Sequence, residues 1–238
     1  MSSNRIVGLI GPKGSGKSYR AAELFAQSER AAVFNIVRKD AAFIGSATHV
    51  LDGRPREFAR LLGEEQFRIV YRPTNVQVGD NNEITFPEFS LFVECCFERG
   101  AMGMFVDEAH LLCSSRHIPP RFAQAVILGR HENLDICYVA QGFSLVARLL
   151  TRNTDEFYFW KIIETSDIQG IRERCGQQVA DRVANLRRLE DKRREGGILT
   201  PGEMVYWSSW GGLQNSGVSP IIEKEIKTNG EETGSNCT

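Results

Sequence analysis

Gly11-Pro12-Lys13-Gly14-Ser15-Gly16-Lys17-Ser18 has the spacing of the Walker A phosphate-binding loop, G-x-x-x-x-G-K-[ST]. Its flanks have the matching character. The apolar run Ile6 to Ile10 reads as a buried strand, and Tyr19 to Gln27 reads as a helix. A strand that feeds a glycine-rich turn and then a helix is the setting in which this motif holds phosphate. Glycines let backbone N–H groups curl round the phosphate oxygens, and the helix amino terminus adds partial positive charge. Gly14 and Gly16 therefore matter as backbone, whereas Lys17 reaches the β- and γ-phosphates and Ser18 ligates Mg²⁺. The nucleotide site expected on this reading comprises Gly11, Pro12, Lys13, Gly14, Ser15, Gly16, Lys17, Ser18 and Tyr19.

Further along, Ala101 to Val106 is an apolar strand that ends in Asp107-Glu108, the form of a Walker B motif. Asp107 would hold Mg²⁺ through water while Glu108 polarises the attacking water. Phosphoryl transfer is mostly positioning plus charge stabilisation, and two such acids supply both. Asp107-Glu-Ala-His110 also spells the DEAH box of a large helicase family, but those enzymes place ATP between two fused domains and this chain has room for one. His110 is accordingly read as a helix-start residue. Leu134 to Ala140 forms another core strand, finishing at Gln141. An amide at such a tip can sense the γ-phosphate by bonding to it or to the lytic water.

The remaining elements fit an α/β domain. Ala31 to Val37, Thr48 to Leu51, Phe67 to Arg72 and Phe157 to Trp160 read as strands, and Arg54 to Leu62, Pro87 to Arg99 and Arg121 to Leu128 as helices. Thr74 to Glu83 is expected to be an exposed loop or hairpin, Thr151 to Asp155 a turn, and Met204 to Trp207 a final edge strand. The aromatic run 157–160 suits a core better than a base-stacking platform. From Asp167 an apolar face recurs through Ile168, Ile171, Cys175, Val179, Val183, Leu186 and Leu189, with a break expected at Gly176. Between Asp167 and Glu195 eight basic residues face six acidic ones. That balance suits a salt-bridged helix, with a DNA-backbone contact as the alternative. The expected organisation is a P-loop domain over 1–210, with its core at about 4–165 and a helical, basic extension over about 166–210. A flexible tail follows over 211–238.

A net charge of −1 over 238 residues excludes wholesale electrostatic attraction to nucleic acid, so any such contact must be a local patch. Six cysteines without metal-type spacing read as reduced thiols. The amino terminus runs directly into the first strand, so no signal peptide is expected. No apolar run reaches the roughly 18–20 residues of a membrane span.

The order Walker A, Walker B with Asp107-Glu108, Gly129-Arg130 near a helix end, then a strand ending in Ala140-Gln141 resembles the FtsK–HerA superfamily of DNA-pumping ATPases. The short single-domain form resembles the genome-packaging ATPases of tailless double-stranded DNA viruses with an internal membrane. The likeness covers roughly residues 4 to 165. It implies a single RecA-like (ASCE) P-loop NTPase domain, α/β in class, whose central, mostly parallel sheet is flanked by helices. The Gln141 strand should then lie between the two Walker strands.

The resemblance further implies a homohexameric ring with Mg-ATP at the subunit interfaces, acting on double-stranded DNA without sequence preference and docking on capsid or portal-vertex proteins. Its setting would be the virion's packaging vertex and the host cytoplasm. Arg130 maps to the arginine finger of that pattern. A guanidinium at the γ-phosphoryl group is worth orders of magnitude in rate, yet Arg116, Arg121, Arg148 and Arg152 stay open as rivals. Two other functions also remain: a Zot-like assembly ATPase of filamentous-phage extrusion, and a nucleotide-binding switch that pumps nothing. The Asn-Lys-x-Asp motif of a small GTPase is missing.

Overall fold

Strands whose apolar residues point both ways need helices on both faces, and that requirement sets the layers. The computed structural model describes residues 4–37, 42–78, 84–186 and 203–214. One sheet among them runs β11 (Gly212–Gln214), β10 (Val205–Ser208), β9 (Glu156–Phe159), β1 (Ile6–Ile10), β8 (Leu134–Ala140), β7 (Met102–Val106), β2 (Arg30–Phe34), β4 (Phe67–Arg72), β3 (His49–Asp52). From β9 to β3 every neighbouring pair is parallel, while β10 and β11 are antiparallel. A separate hairpin pairs β5 (Gln77–Val78) with β6 (Ile84–Thr85).

Alternation divides the core. On one face Val7, Leu9, Val33, Phe105 and Val139 meet α1 (Lys17–Ala26) through Ala21, Ala22 and Phe25. On the other, Ile6, Ile10, Phe34, Met104, Ile136 and Phe157 lie under a layer that includes α2 (Pro55–Leu61), α3 (Pro87–Arg99), α4 (Ala109–Leu112) and α5 (Pro120–Leu128). The same layer continues through α6 (Arg148–Asn153), α7 (Thr165–Cys175) and α8 (Gln177–Asn185). Helices α2, α3 and α5 each begin on proline, at the position where a missing N–H forfeits no helical bond. Gly8, in the middle of β1, sits where a Cβ would come within 2.7 Å of the Tyr138 hydroxyl and 2.8 Å of the Phe157 ring, so those two large side chains close over the strand.

Because the strands from β9 to β3 are parallel, their carboxyl ends share one edge of the sheet. The loop after β1, Asn35 after β2, Asp107 after β7, Gln141 after β8 and Trp160 after β9 therefore emerge together. β8 lies between β1 and β7, as the resemblance implies.

Several expectations need correction. β2 stops at Phe34, three residues before Val37. The turn placed at Thr151–Asp155 is in its first half the end of α6, which runs to Asn153. The strand expected to be the sheet edge, now β10, is covered by β11, so the sheet reaches into the stretch assigned to the tail. Gly176, at φ 96°, separates α7 from α8 where the break was expected. Phe157, Phe159 and Trp160 are all buried, so this run is core. Leu189 of the apolar face, the basic residues Arg187, Arg188, Lys192, Arg193 and Arg194 of the helical extension, and residues 215–238 of the tail lie outside the described residues. No described helix is long and apolar enough to cross a membrane.

Candidate nucleotide site

The loop 11–16 leaves β1 at the carboxyl edge and turns into α1. Gly14 and Gly16 have φ values of 76° and 104°, in the left-handed region that glycine enters without a Cβ penalty. Gly16 caps α1 and, having no side chain, makes no cap bond to the helix's first-turn N–H groups. Such groups, together with the helix dipole, form an anion site. Trp160 closes the loop from behind: its N–H donates to the Ile10 carbonyl at 2.9 Å, and a Cβ on Gly11 would come within 2.7 Å of its own Cβ. Two buried polar atoms at the loop, Ser15 Oγ and Trp160 Nε1, have no hydrogen-bond partner among the described residues. These are the features a phosphate cradle needs, so the residues present fit a nucleotide triphosphate.

Lys17 is 6% exposed, and its Nζ donates to the Pro12 carbonyl at 2.7 Å. Burial pushes its amine down to about 8, against the pull of Glu108 and Asp107, which favours the charged form. Ser18 follows as the second residue of α1 and is half-buried; Pro12, Lys13 and Tyr19 are exposed around the loop.

At the end of β7, Asp107 is buried and its N–H donates to the Phe34 carbonyl at 3.1 Å. Glu108 follows in the left-handed region, at φ 48° and ψ 46°, and caps α4. A non-glycine residue held there costs on the order of 1–3 kcal/mol, and such positions cluster at working sites. Gln141 Nε2 donates to both Glu108 carboxylate oxygens, at 3.2 and 3.1 Å. His110 does start a helix, but its Nδ1 also lies 3.3 Å from Glu108 Oε2. Burial and the nearby Lys17 lower the His110 pKa, while Glu108 opposes them. Asp107, Glu108, Gln141 and Lys17 are thus brought to one place by strand ends distant in sequence.

Arg130 is not. It lies in the 3₁₀ turn Gly129–Glu132 that precedes β8, at the opposite edge of the sheet. A seven-residue strand puts that edge about 20 Å away. Its guanidinium donates to Asp155 Oδ1 at 2.5 Å, while Asp155 Oδ2 accepts from the Ile6 N–H at 2.9 Å. Arg130 cannot meet a phosphate held at the loop of its own chain; as a finger it would have to act on a second copy. Of its rivals, Arg121 pairs with Glu94 at 2.8 Å, Arg116 is exposed, and Arg148 and Arg152 line a separate cavity.

The genome packaging NTPase B204 of Sulfolobus turreted icosahedral virus 2, in complex with ATP-gammaS, superposes with a TM-score of 0.69 at 13% identity, covering 92% of this chain and 100% of that one. The fold is that of a RecA-like P-loop ATPase. B204 of Sulfolobus turreted icosahedral virus, described as its DNA-packaging ATPase, gives 0.67 at 14% identity over the same shares. VirB4 of Thermoanaerobacter pseudethanolicus gives 0.57 at 11%, covering 94% of this chain and 92% of that one. No family model and no curated protein sequence matches the chain.

Within the RecA-like fold one residue escaped the sequence reading. Asn35 is fully buried at the carboxyl tip of β2, and neither atom of its side-chain amide has a hydrogen-bond partner among the described residues. Its N–H donates to the Tyr71 carbonyl at 2.9 Å, and the next strand of the sheet leads into Asp107. The available signal was a lone amide inside the run Ala31 to Val37, where every other residue is apolar.

Proposed function

We propose that this chain hydrolyses ATP and, as a homohexameric ring, drives double-stranded DNA into a preformed capsid. The observation that carries the ATPase reading is the pairing of Gln141 with Glu108 beside Lys17. A triphosphate gripped by the loop would present its γ-phosphate toward this pair. Water polarised by Glu108 attacks the γ-phosphorus, the bond to the bridging oxygen breaks, and ADP and phosphate leave. Gln141, released from the carboxylate, would orient that water or the γ-phosphate. Ser18 and Asp107 would hold Mg²⁺, which would neutralise charge on the phosphate oxygens. Arg130 would supply the positive charge from a neighbouring subunit.

The DNA-pumping part is supported by the likeness to two genome-packaging ATPases over the whole length of each. A pump must grip phosphates uniformly, so sequence preference is not expected. Capsid or portal-vertex proteins would recruit the ring, at the packaging vertex and in the host cytoplasm. The test is ATP turnover by the purified chain with duplexes of unrelated sequence, together with native mass. A several-fold rise on every duplex from a closed ring supports a motor. Turnover indifferent to DNA would leave a nucleotide switch, and flotation with lipid vesicles would favour an extrusion factor.

The lowered Lys17 pKa gives a separate expectation. Phosphates favour the ammonium, so binding at pH 8 or above should take up a proton, whereas at pH 6.5 the amine is already charged. ATP affinity should therefore weaken as pH rises through about 8. Calorimetry in buffers of differing ionisation enthalpy reads the uptake directly; equal heats at pH 8.5 would contradict it.

A further inference from the structure

The two segments that leave the hydrolytic pair meet again at a cavity. From Glu108 the chain passes through α4 to Ser114 and Ser115; from Gln141 it passes through Phe143, Ser144 and Val146 to Arg148. A bridge joins Ser114 to Val146, and the Ala147 N–H donates to the Cys113 carbonyl at 3.3 Å. Ser115, Phe143, Ser144, Val146, Arg148 and Arg152 line a space of about 390 Å³. Arg148 and Arg152 stand one helical turn apart on α6, both exposed. No hydrogen bond or ion pair holds either guanidinium among the described residues.

Of the two serines, Ser144 already has its Oγ 3.3 Å from Ser166 Oγ, and the other charged side chains of the lining, Arg174 and Glu173, are engaged within the fold. The Arg174 guanidinium donates to the carbonyls of Thr151, Arg152 and Thr154, at 3.2, 3.3 and 2.9 Å, and sits 5.0 Å over the Trp207 ring. It thereby satisfies carbonyls at the end of α6 that the helix leaves open and fixes that helix to the sheet. Glu173, the acidic residue of the lining, accepts from Gln169 Nε2 at 3.0 Å. Buried Asp167 accepts from the Ser144 N–H at 2.7 Å, which pins the floor to α7. A pinned floor carrying two unengaged guanidiniums and two serines suits a phosphodiester backbone.

We infer that Arg148 and Arg152 of α6, with Ser115 and Ser144, form a grip for the sugar–phosphate backbone of double-stranded DNA, wired to Glu108 and Gln141 through the two joined segments. The inference rests on the packaging reading and deepens it by naming where the DNA is held. The cavity is too small for a duplex, so one strand's phosphates seat at its rim while the helix lies across it. A shift of α6 under load is transmitted along seven residues to Gln141 and, through the Ser114–Val146 bridge, to the segment that follows Glu108.

The test uses the full chain carrying Arg148→Ala with Arg152→Ala, and a second variant carrying lysine at both positions. Duplex affinity is titrated against salt, and ATP turnover is read with and without DNA. Removing two phosphate contacts should weaken affinity about tenfold or more. It should also make the slope of log affinity against log salt shallower by about 2. DNA-stimulated turnover should fall while DNA-free turnover stays within about twofold, and the lysine variant should recover most of the affinity as a point charge. Unchanged affinity and slope would overturn the inference. So would a fall in DNA-free turnover, because the guanidiniums would then be acting on a neighbour's nucleotide. Circular dichroism and melting confirm that each variant is folded, with single Arg→Gln substitutions as replacements if the double variant is not. If the unaltered chain binds no duplex at all, it is the packaging reading that fails, a result distinct from either of these.

Discussion

Lys17→Ala is expected to lower ATP affinity roughly ten- to hundredfold, the range for losing charge-assisted bonds to phosphate, while the melting temperature stays level or rises. The second half of that expectation comes from the cost of the amine in the free protein. Burial lowers its pKa from 10.5 to about 8, a differential on the order of 3 kcal/mol against the charged form. The folded pKa lies below the unfolded one, so this cost is fully present below about pH 8. It declines between 8 and 10.5 and is gone above. The charge-assisted bond to the Pro12 carbonyl returns about 1.5–3 kcal/mol, so at pH 7 alanine removes at least as much penalty as support. A structural lysine would show the reverse, with lower stability and unchanged affinity. Calorimetric titration and a thermal melt on the same preparation separate the two cases, and affinity equal to that of the unaltered chain would end the phosphate-loop reading.

The sequence showed the sheet where the local pattern and the tertiary result agree. Ile6 to Ile10 and, apart from Asp135, Leu134 to Ala140 are apolar on both faces because parallel strands are covered on both; Phe67 to Arg72 puts Phe67, Ile69 and Tyr71 on one face and Arg68 and Arg72 beside Val70 on the other, and each of the three is a strand at nearly the expected bounds. The misreadings fall where tertiary contacts decide. Thr151-Arg-Asn-Thr has turn chemistry, yet α6 continues to Asn153, and the Arg174 guanidinium bonds the carbonyls at its end. Met204 to Trp207 gave no sign of its partner, because three residues as plain as Gly212-Leu-Gln make a strand only when an edge is there to receive them.

The site divides along the same line. Residues that carry chemistry in a fixed local spacing, such as Gly14, Gly16, Lys17 and Asp107-Glu108, were visible because the spacing itself is the signal. Gln141 could be placed at a strand tip, but its bond to Glu108 depends on β8 lying beside β7, which is topology. His110 shows the limit of local reading. As a helix-start residue it is unremarkable in sequence, and only the left-handed backbone at Glu108 brings that carboxylate within 3.3 Å of its ring. Asn35 carries no motif; a lone amide in an apolar run is its one sign in sequence, and burial without a partner among the described residues marks it in the structure.

Glu108→Gln should cut ATP turnover roughly 10²–10⁴-fold, the range for removing a positioned acid–base group, with ATP affinity retained or increased. Size and backbone demands hardly change, since glutamine must adopt the same left-handed conformation at the same cost. Charge does change. Removing a negative charge from beside the phosphate loop relieves its repulsion of the γ-phosphate, which argues for equal or tighter binding at pH 7 or below, where Lys17 is charged. The remaining amide oxygen can still accept from Gln141, so the pair stays closed, but it no longer draws a proton from water. Gln141→Ala alone should also slow turnover. If Gln141 works through Glu108, adding it to Glu108→Gln should lower the rate little further, because residues that act as a unit are not additive. Single-turnover assays on the four combinations measure this coupling. Fully multiplicative losses would mean that Gln141 meets the γ-phosphate on its own, and a fall in ATP affinity with Glu108→Gln would mean that the carboxylate shapes the loop rather than the reaction.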